Sequence, residues 1–160
     1  MVRVWKRLWE QSGYTQLAQV PVSLTVDYPQ VRHTQAVLRM ALATAEIAHL
    51  VHDTIIRRDI LVAGALLMDV SKLVEYQPGL EGGHHRTELG LMLPHGTYTA
   101  HLCLTENIPL DVIHIVMAHS PNGGRAPATV EAHILDWLDQ LDLTNFGYDL
   151  WKRRVLHYQP

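Results

Sequence analysis

A chain of 160 residues, 48% hydrophobic and 18% charged, has the make-up of one folded domain, large enough to bury about two-thirds of its unfolded surface. Its formal charge of −3 offers no basic footprint for nucleic acid, and no cluster of Lys and Arg supplies one locally. A single cysteine, Cys103, excludes an internal disulfide and a cysteine-built zinc cage, and fits a reducing compartment.

The opening "MVRVWKRLWEQSGY" is too polar for a signal peptide, and no apolar run approaches the ~20 residues that cross a bilayer. The expectation is a soluble, cytoplasmic protein with no membrane contact. Helical periodicity then dominates. Residues 29–52 carry apolar side chains at helical spacing, with Pro29 suited to a first turn and Asp27 placed to cap it. Residues 58–76, "RDILVAGALLMDVSKLVEY", read as a second helix, nearly apolar all round in its first half and therefore central. A Pro/Gly-rich loop follows over 77–86. Residues 87–106 read as helical, with Pro94 breaking the run or starting a new one. Residues 107–120 form the next helix, with Asn107 as cap and Pro109 in its first turn, and "PNGGRAP" (121–127) is a loop. Two more helices, 128–142 and 145–157, close the chain. With no repeat, no low-complexity tract and no long linker, the fold class is all-α: a single compact helical bundle over residues 1–160.

Asp69 sits in the middle of the most apolar helix, where an unpaired carboxylate costs several kcal/mol, of order ~3–5, so something must neutralise it. Lys72 is three residues along, but an i,i+3 pair contributes only ~0.2–0.5 kcal/mol on a helix surface. The other candidate is a metal ion. The chain holds 11 His against one Phe, and histidine is the commonest side-chain metal ligand. His49, His52, His114 and His157 read as surface residues. His33 lies early in the 29–52 helix. His95 follows Pro94. His119 continues the stripe of Val112, Ile115 and Val116, and Asp139 lies on a helix whose buried side is marked by Ile134, Leu135, Leu138 and Leu141. His33, Asp69, His95, His119 and Asp139 thus form an imidazole and carboxylate set drawn from separate helices, suited to Fe, Mn, Co, Ni or Zn. Residue types and spacing alone leave the salt bridge and the metal site both open.

At these residues the chain resembles the HD superfamily of metal-dependent phosphohydrolases, all-helical proteins named for an adjacent His-Asp pair. "VRHTQAVLRMA" is similar to the segment with the first His, His33; "LVAGALLMDVSKL" to the His-Asp helix, with Asp69 and Lys72. "LPHGTYTAHLCLTENIPLDVIHIVMAHS" is similar to the stretch with two further histidines, His95 and His119, and "PATVEAHILDWLDQLD" to the closing segment, with Asp139 as last ligand and Asp142 as its companion. The likeness runs over residues 29–142. It departs at one place: Met68 stands where the family has its namesake His. Met is a weak ligand for a hard divalent ion.

The resemblance implies one or two divalent transition-metal ions. A first would take His33, Asp69 and Asp139, a second Asp69, His95 and His119, with the first weakened by Met68. It implies hydrolysis of a phosphate ester on a small phosphorylated substrate by metal-activated water. Asp69 and Lys72 would be the catalytic pair, with Lys72, Arg125 and His85 as substrate contacts. His84 and Arg86 follow the glycine-rich loop beside His85, where they would line an entrance or form an exposed turn. Two other readings stay open: a di-iron oxygenase of the myo-inositol oxygenase type, and a non-catalytic metal- or ligand-binding helical module, for which Met68 is the main support. Trp5, Trp9 and Trp151 are expected to pack against the bundle or against a second subunit of a homodimer.

Overall fold

The computed structural model describes residues 1–120 and 123–147. Helix α1 (Val2–Glu10) leads through a single 3-10 turn at Leu17–Gln19 into a short antiparallel hairpin, β1 (Pro21–Ser23) and β2 (Val26–Pro29). The bundle proper comprises α2 (Gln30–His52), α3 (Arg58–Leu67), α4 (Lys72–Glu75), α5 (Glu88–Met92), α6 (Thr97–Thr105), α7 (Leu110–Ala118) and α8 (Val130–Phe146). A second hairpin, β3 (Tyr76–Pro78) and β4 (His84–Arg86), joins α4 to α5. Among the described residues the fold is all-α apart from these two hairpins of short strands, and no helix there is long and apolar enough to cross a membrane.

The central helix α3 packs against α2, α7 and α8, as its nearly continuous apolar surface requires. Its contact with α7 and α8 is close at Gly64. A Cβ there would meet Ile115 Cδ1 at 2.7 Å and Leu135 Cδ1 at 2.9 Å, distances no real methyl tolerates. Helix α1 seals the end of the bundle with the fully buried Val4 and Leu8, and the Trp5 indole N–H donates to the Leu66 carbonyl at 3.0 Å. Trp9 also packs on the core, whereas Trp151 lies outside the described residues.

Several local expectations are corrected. The 58–76 segment is not one helix: residues 68–71 form a turn tightened by i→i+3 bonds, Val70 N–H to Leu67 O and Lys72 N–H to Asp69 O among them. Nothing in its apolar composition marks that break. The loop expected over 77–86 begins and ends in paired strands, because Gly82 and Gly83, at φ +96° and +70°, permit the reversal between them. Pro94 lies between α5 and α6, and the N-cap of α7 is Pro109, with Asn107 before it at φ +53°. Helix α8 continues to Phe146 without the expected interruption, and most of the helix expected over 145–157 lies outside the described residues. Leu141 is 45% exposed, whereas Leu135 and Leu138 are buried.

An ion pair on a buried carboxylate ties the start of α8 to the start of α3. The Glu131 carboxylate receives the Arg57 backbone N–H at 3.1 Å and its Nε–H at 3.0 Å, while Arg57 Nη1 reaches Asp111 at 2.6 Å. Burial would raise the Glu131 carboxyl, but the bonds from Arg57 hold it below its ordinary value of 4.5. A depressed carboxyl adds stability above its unfolded value that is lost as pH falls through the folded one. Thermal unfolding should therefore show the wild-type protein losing stability more steeply than Glu131→Gln as pH falls below 4.5. Parallel curves would show that this pair does not set the acid response.

Candidate metal centre

The tightened turn that ends α3 builds the floor of the site. In an i→i+3 turn the side chains of residues i and i+3 eclipse, and Lys72 Nζ lies 2.7 Å from Asp69 Oδ1. Both residues are buried, Asp69 at 1% exposure and Lys72 at 8%. The salt bridge is present, then, but it is only part of the surroundings of Asp69. His95 Nε2 lies 3.0 Å and His119 Nε2 3.5 Å from Asp69 Oδ1, and His33 Nε2 lies 3.2 Å from Asp69 Oδ2. His33 Nε2 also meets Asp139 Oδ1 at 2.9 Å. Although His33 is near, its approach is off line, so Asp69 Oδ2 is a buried oxygen with no hydrogen-bond partner.

Each imidazole is aimed by its other nitrogen. His33 Nδ1 faces Asp142 Oδ2 at 2.7 Å, His95 Nδ1 faces Glu75 Oε2 at 2.7 Å, and His119 Nδ1 faces the Val116 carbonyl at 3.0 Å. Once deprotonated, with the remaining proton on Nδ1, each ring would offer an Nε2 lone pair on the side facing Asp69, the orientation that metal-binding histidines owe to their outer partners. Two groups result: Asp69, His95 and His119, and His33, Asp69 and Asp139, with ligand atoms within 4.8 Å of one another in each. They share Asp69.

The backbone explains how α6 delivers His95. Gly96, which follows it, has φ +79° and N-caps α6; a Cβ there would meet the Val116 carbonyl oxygen at 2.7 Å, so this turn requires glycine. The Gly96 N–H donates to Glu75 Oε1 at 3.2 Å, so one buried carboxylate holds both the His95 ring and its backbone. Glu75 ends α4, the short helix that begins with Lys72. Sequence reasoning passed over it, since a glutamate at a helix end reads as solvated; its one signal is the spacing that puts it one turn from Lys72. Glu75→Ala, which leaves the His95 Nδ1–H and the Gly96 N–H unpartnered, is expected to weaken metal affinity by ~10–100-fold in a calorimetric titration. Unchanged affinity would mean that His95 needs no such anchor.

Charge is closely balanced. Burial would raise the Asp69 carboxyl, but the Lys72 ammonium and the rings of His119, His33 and His95 hold it well below the ordinary carboxylate range. Burial opposes the charged forms of His33 and His95; bonds from His33 to Asp139 and Asp69 push it up to about 10, and bonds from His95 to Asp69 and Glu75 push it up to about 9. Lys72 is likewise raised against its burial, by Asp69. One buried carboxylate thus gathers an amine and three imidazoles, a demand for positive charge that a divalent ion would satisfy through the imidazole lone pairs.

Above this floor opens a cavity of about 520 Å³, lined by Asp69, Lys72, His95, His119 and Asp139 and by the exposed Arg86. His33 lies beneath it, fully buried. Arg125 and His85 are exposed and do not line the cavity, and the His85 Nε2 instead meets Gln77 at 2.6 Å. Met68 is fully buried in the apolar core and is not part of the lining either.

Among known families, the model of the HD domain matches residues 31–144, a span that contains all five of these side chains. The chain belongs to the HD domain family. A curated relative of this HD domain, a dihydroneopterin 2',3'-cyclic phosphate phosphodiesterase from Methanocaldococcus jannaschii, is 29% identical over 113 residues, covering 70% of this chain and 45% of the relative. The HD domain described here therefore spans less than half the length of that relative. No solved structure matches it.

Proposed function

We propose that this HD domain is a metal-dependent hydrolase of a small phosphate ester, holding one or two divalent transition-metal ions on His33, Asp69, His95, His119 and Asp139. The observation that carries the reading is the aiming of three Nε2 atoms at one buried carboxylate, each ring held from behind by an acceptor. The orphaned Asp69 Oδ2 adds to it, since a buried oxygen without a donor is a lone pair reserved for a cation. The donor set is imidazole and carboxylate only, which favours Mn, Fe, Co, Ni or Zn over softer ions.

Bound metal would supply a water of lowered pKa and positive charge for the phosphoryl oxygens. The remaining work falls to the chain. Asp69 belongs to both ligand groups and would set their spacing. Lys72, already charged and buried at the floor, would meet a phosphoryl oxygen as the ester enters. Asp142, Glu75 and the Val116 carbonyl keep the rings from rotating. The activity of the Methanocaldococcus jannaschii relative, on a 2',3'-cyclic phosphate, supports a phosphodiester or cyclic phosphate among the substrates.

The test is elemental analysis of the purified protein, followed by hydrolysis of p-nitrophenyl phosphate, bis-p-nitrophenyl phosphate and a 2',3'-cyclic nucleotide with Mn, Fe, Co, Ni or Zn added. Turnover of at least one ester, abolished by chelator and restored by metal, is the expected result. A protein that binds metal tightly yet turns over none of them is a binding module, and one that binds no metal removes the basis of the proposal.

A further inference from the structure

Arg86 is the feature of the cavity that the family assignment leaves unused. It closes strand β4, all three residues of which are exposed, and it belongs to the cavity lining together with the buried Lys72. The two are the cavity's Lys and Arg side chains, and their situations differ. Lys72 is spent on Asp69 at 2.7 Å. Arg86 donates one Nη1–H to the Gly90 carbonyl at 3.1 Å, and among the described residues no carboxylate pairs with it.

Its position is nonetheless built. Tyr76 and Arg86 are partners in the β3–β4 register. The next residue, Thr87, donates its hydroxyl to the Val74 carbonyl at 2.6 Å and its N–H to the Glu75 carbonyl at 2.9 Å, and caps α5 through Gly90 N–H. Gly90 packs so tightly on Glu75 that a Cβ would collide with the Glu75 carbonyl oxygen. The carbonyl that holds Arg86 is therefore locked to α4, the helix that carries Lys72 and Glu75. A guanidinium fixed by a carbonyl, facing a cavity and free of any carboxylate, is a receptor for an anion, with its remaining N–H groups in the planar fork that fits carboxylate or phosphate.

Which anion follows from depth. The bond to be broken must lie at the floor, where Asp69 and the imidazoles are. Arg86 is exposed whereas Asp69 and Lys72 are buried, and Val22, Leu91, Leu93 and Leu143 give the same lining its apolar surface. We propose that Arg86 selects the substrate of this cavity, holding an anionic group on the organic part of a phosphate ester whose apolar body fills the space between mouth and floor. This rests on the phosphohydrolase reading and deepens it, from any small phosphate ester to one that carries a second negative charge remote from the reacting phosphoryl.

Two non-hydrolysable probes separate the possibilities: phenylphosphonate, and 4-carboxyphenylphosphonate, which adds the remote anion. Their affinities for the manganese-loaded protein are measured by calorimetry. The wild type is expected to prefer the carboxylated probe by about tenfold, Arg86→Ala by no more than about twofold, and Arg86→Lys by an intermediate factor, because lysine keeps the charge but not the fork. Metal content and melting temperature, matched across the three, show that each is folded. The proposal is overturned if the preference survives in Arg86→Ala. It is equally overturned if both probes weaken together there, which would place Arg86 on the phosphoryl itself. Failure of the wild type to bind phenylphosphonate at all would bring down the hydrolase reading, and this proposal with it.

Discussion

Asp69→Asn is expected to reduce hydrolysis by ~10³-fold or more and to remove the stabilisation of the protein by added metal. The substitution is nearly isosteric, so the core around it has no reason to collapse. What changes is charge and donor number in both ligand groups at once. Without the carboxylate, one group is left with His33 and Asp139 and the other with His95 and His119, two protein ligands each. Loss of a shared metal anchor removes several kcal/mol of transition-state stabilisation, and ~4 kcal/mol corresponds to ~10³ in rate. The metal-free protein feels the change as well, because Lys72 Nζ and the His33 and His95 rings lose the anion they surround. The check is a pair of measurements: kcat with manganese, and melting temperature as manganese is titrated. If the Asp69→Asn variant still gains several degrees from metal, the ion binds elsewhere.

Met68→His is expected to reverse sign with metal. Met68 is fully buried in the apolar core, immediately before Asp69 and at the C-cap of α3. An imidazole placed there without a partner buries polar nitrogens at a cost of ~1–3 kcal/mol, so in chelator the variant should melt several degrees below the wild type. With metal present, the same imidazole adds a nitrogen donor next to the His33, Asp69 and Asp139 group, which otherwise offers three protein ligands. Its melting temperature should then rise above that of metal-loaded wild type, with affinity tighter by about tenfold and faster turnover. If the deficit seen in chelator persists unchanged in manganese, residue 68 does not face the ion and the family's ligand position has been lost in this chain. The outcome also separates an impaired hydrolase, which gains activity, from a binding module, which does not.

The all-helical class, the order of the major helices and the burial of Asp69 follow from the chain's own patterning. Long runs of apolar side chains at helical spacing have one good way to leave water, and the 58–67 run, apolar nearly all round, must become the centre. Resemblance named His33, Asp69, His95, His119 and Asp139 as a set, and the structure brings them within a few ångströms, but no periodicity in the chain states that distance. Long-range packing of α2, α3, α7 and α8 decides it. The tightened turn at 68–71 was barely legible in sequence: Asp69, Val70 and Ser71 are only modestly poorer helix formers than their neighbours, and the i→i+3 bonds that bring Lys72 over Asp69 are seen only in the folded chain.

The three-residue strands are too short for an alternating pattern to register, so the 77–86 segment read as loop. That mattered for the site. Which of His84, His85, Arg86 and Arg125 faces the cavity depends on hairpin register and on the bond to Gly90, and Arg86 rather than His85 or Arg125 lines it. Glu75 escaped notice because a glutamate at a helix end reads as solvated, and its bond to His95 spans 20 positions. Composition and periodicity determined the helices and the hydrophobic centre, because burial of apolar surface is written residue by residue along the chain. The partners behind His33 and His95, 109 and 20 positions away, were decided only in three dimensions, because a hydrogen bond between residues so far apart in the chain has no local cause.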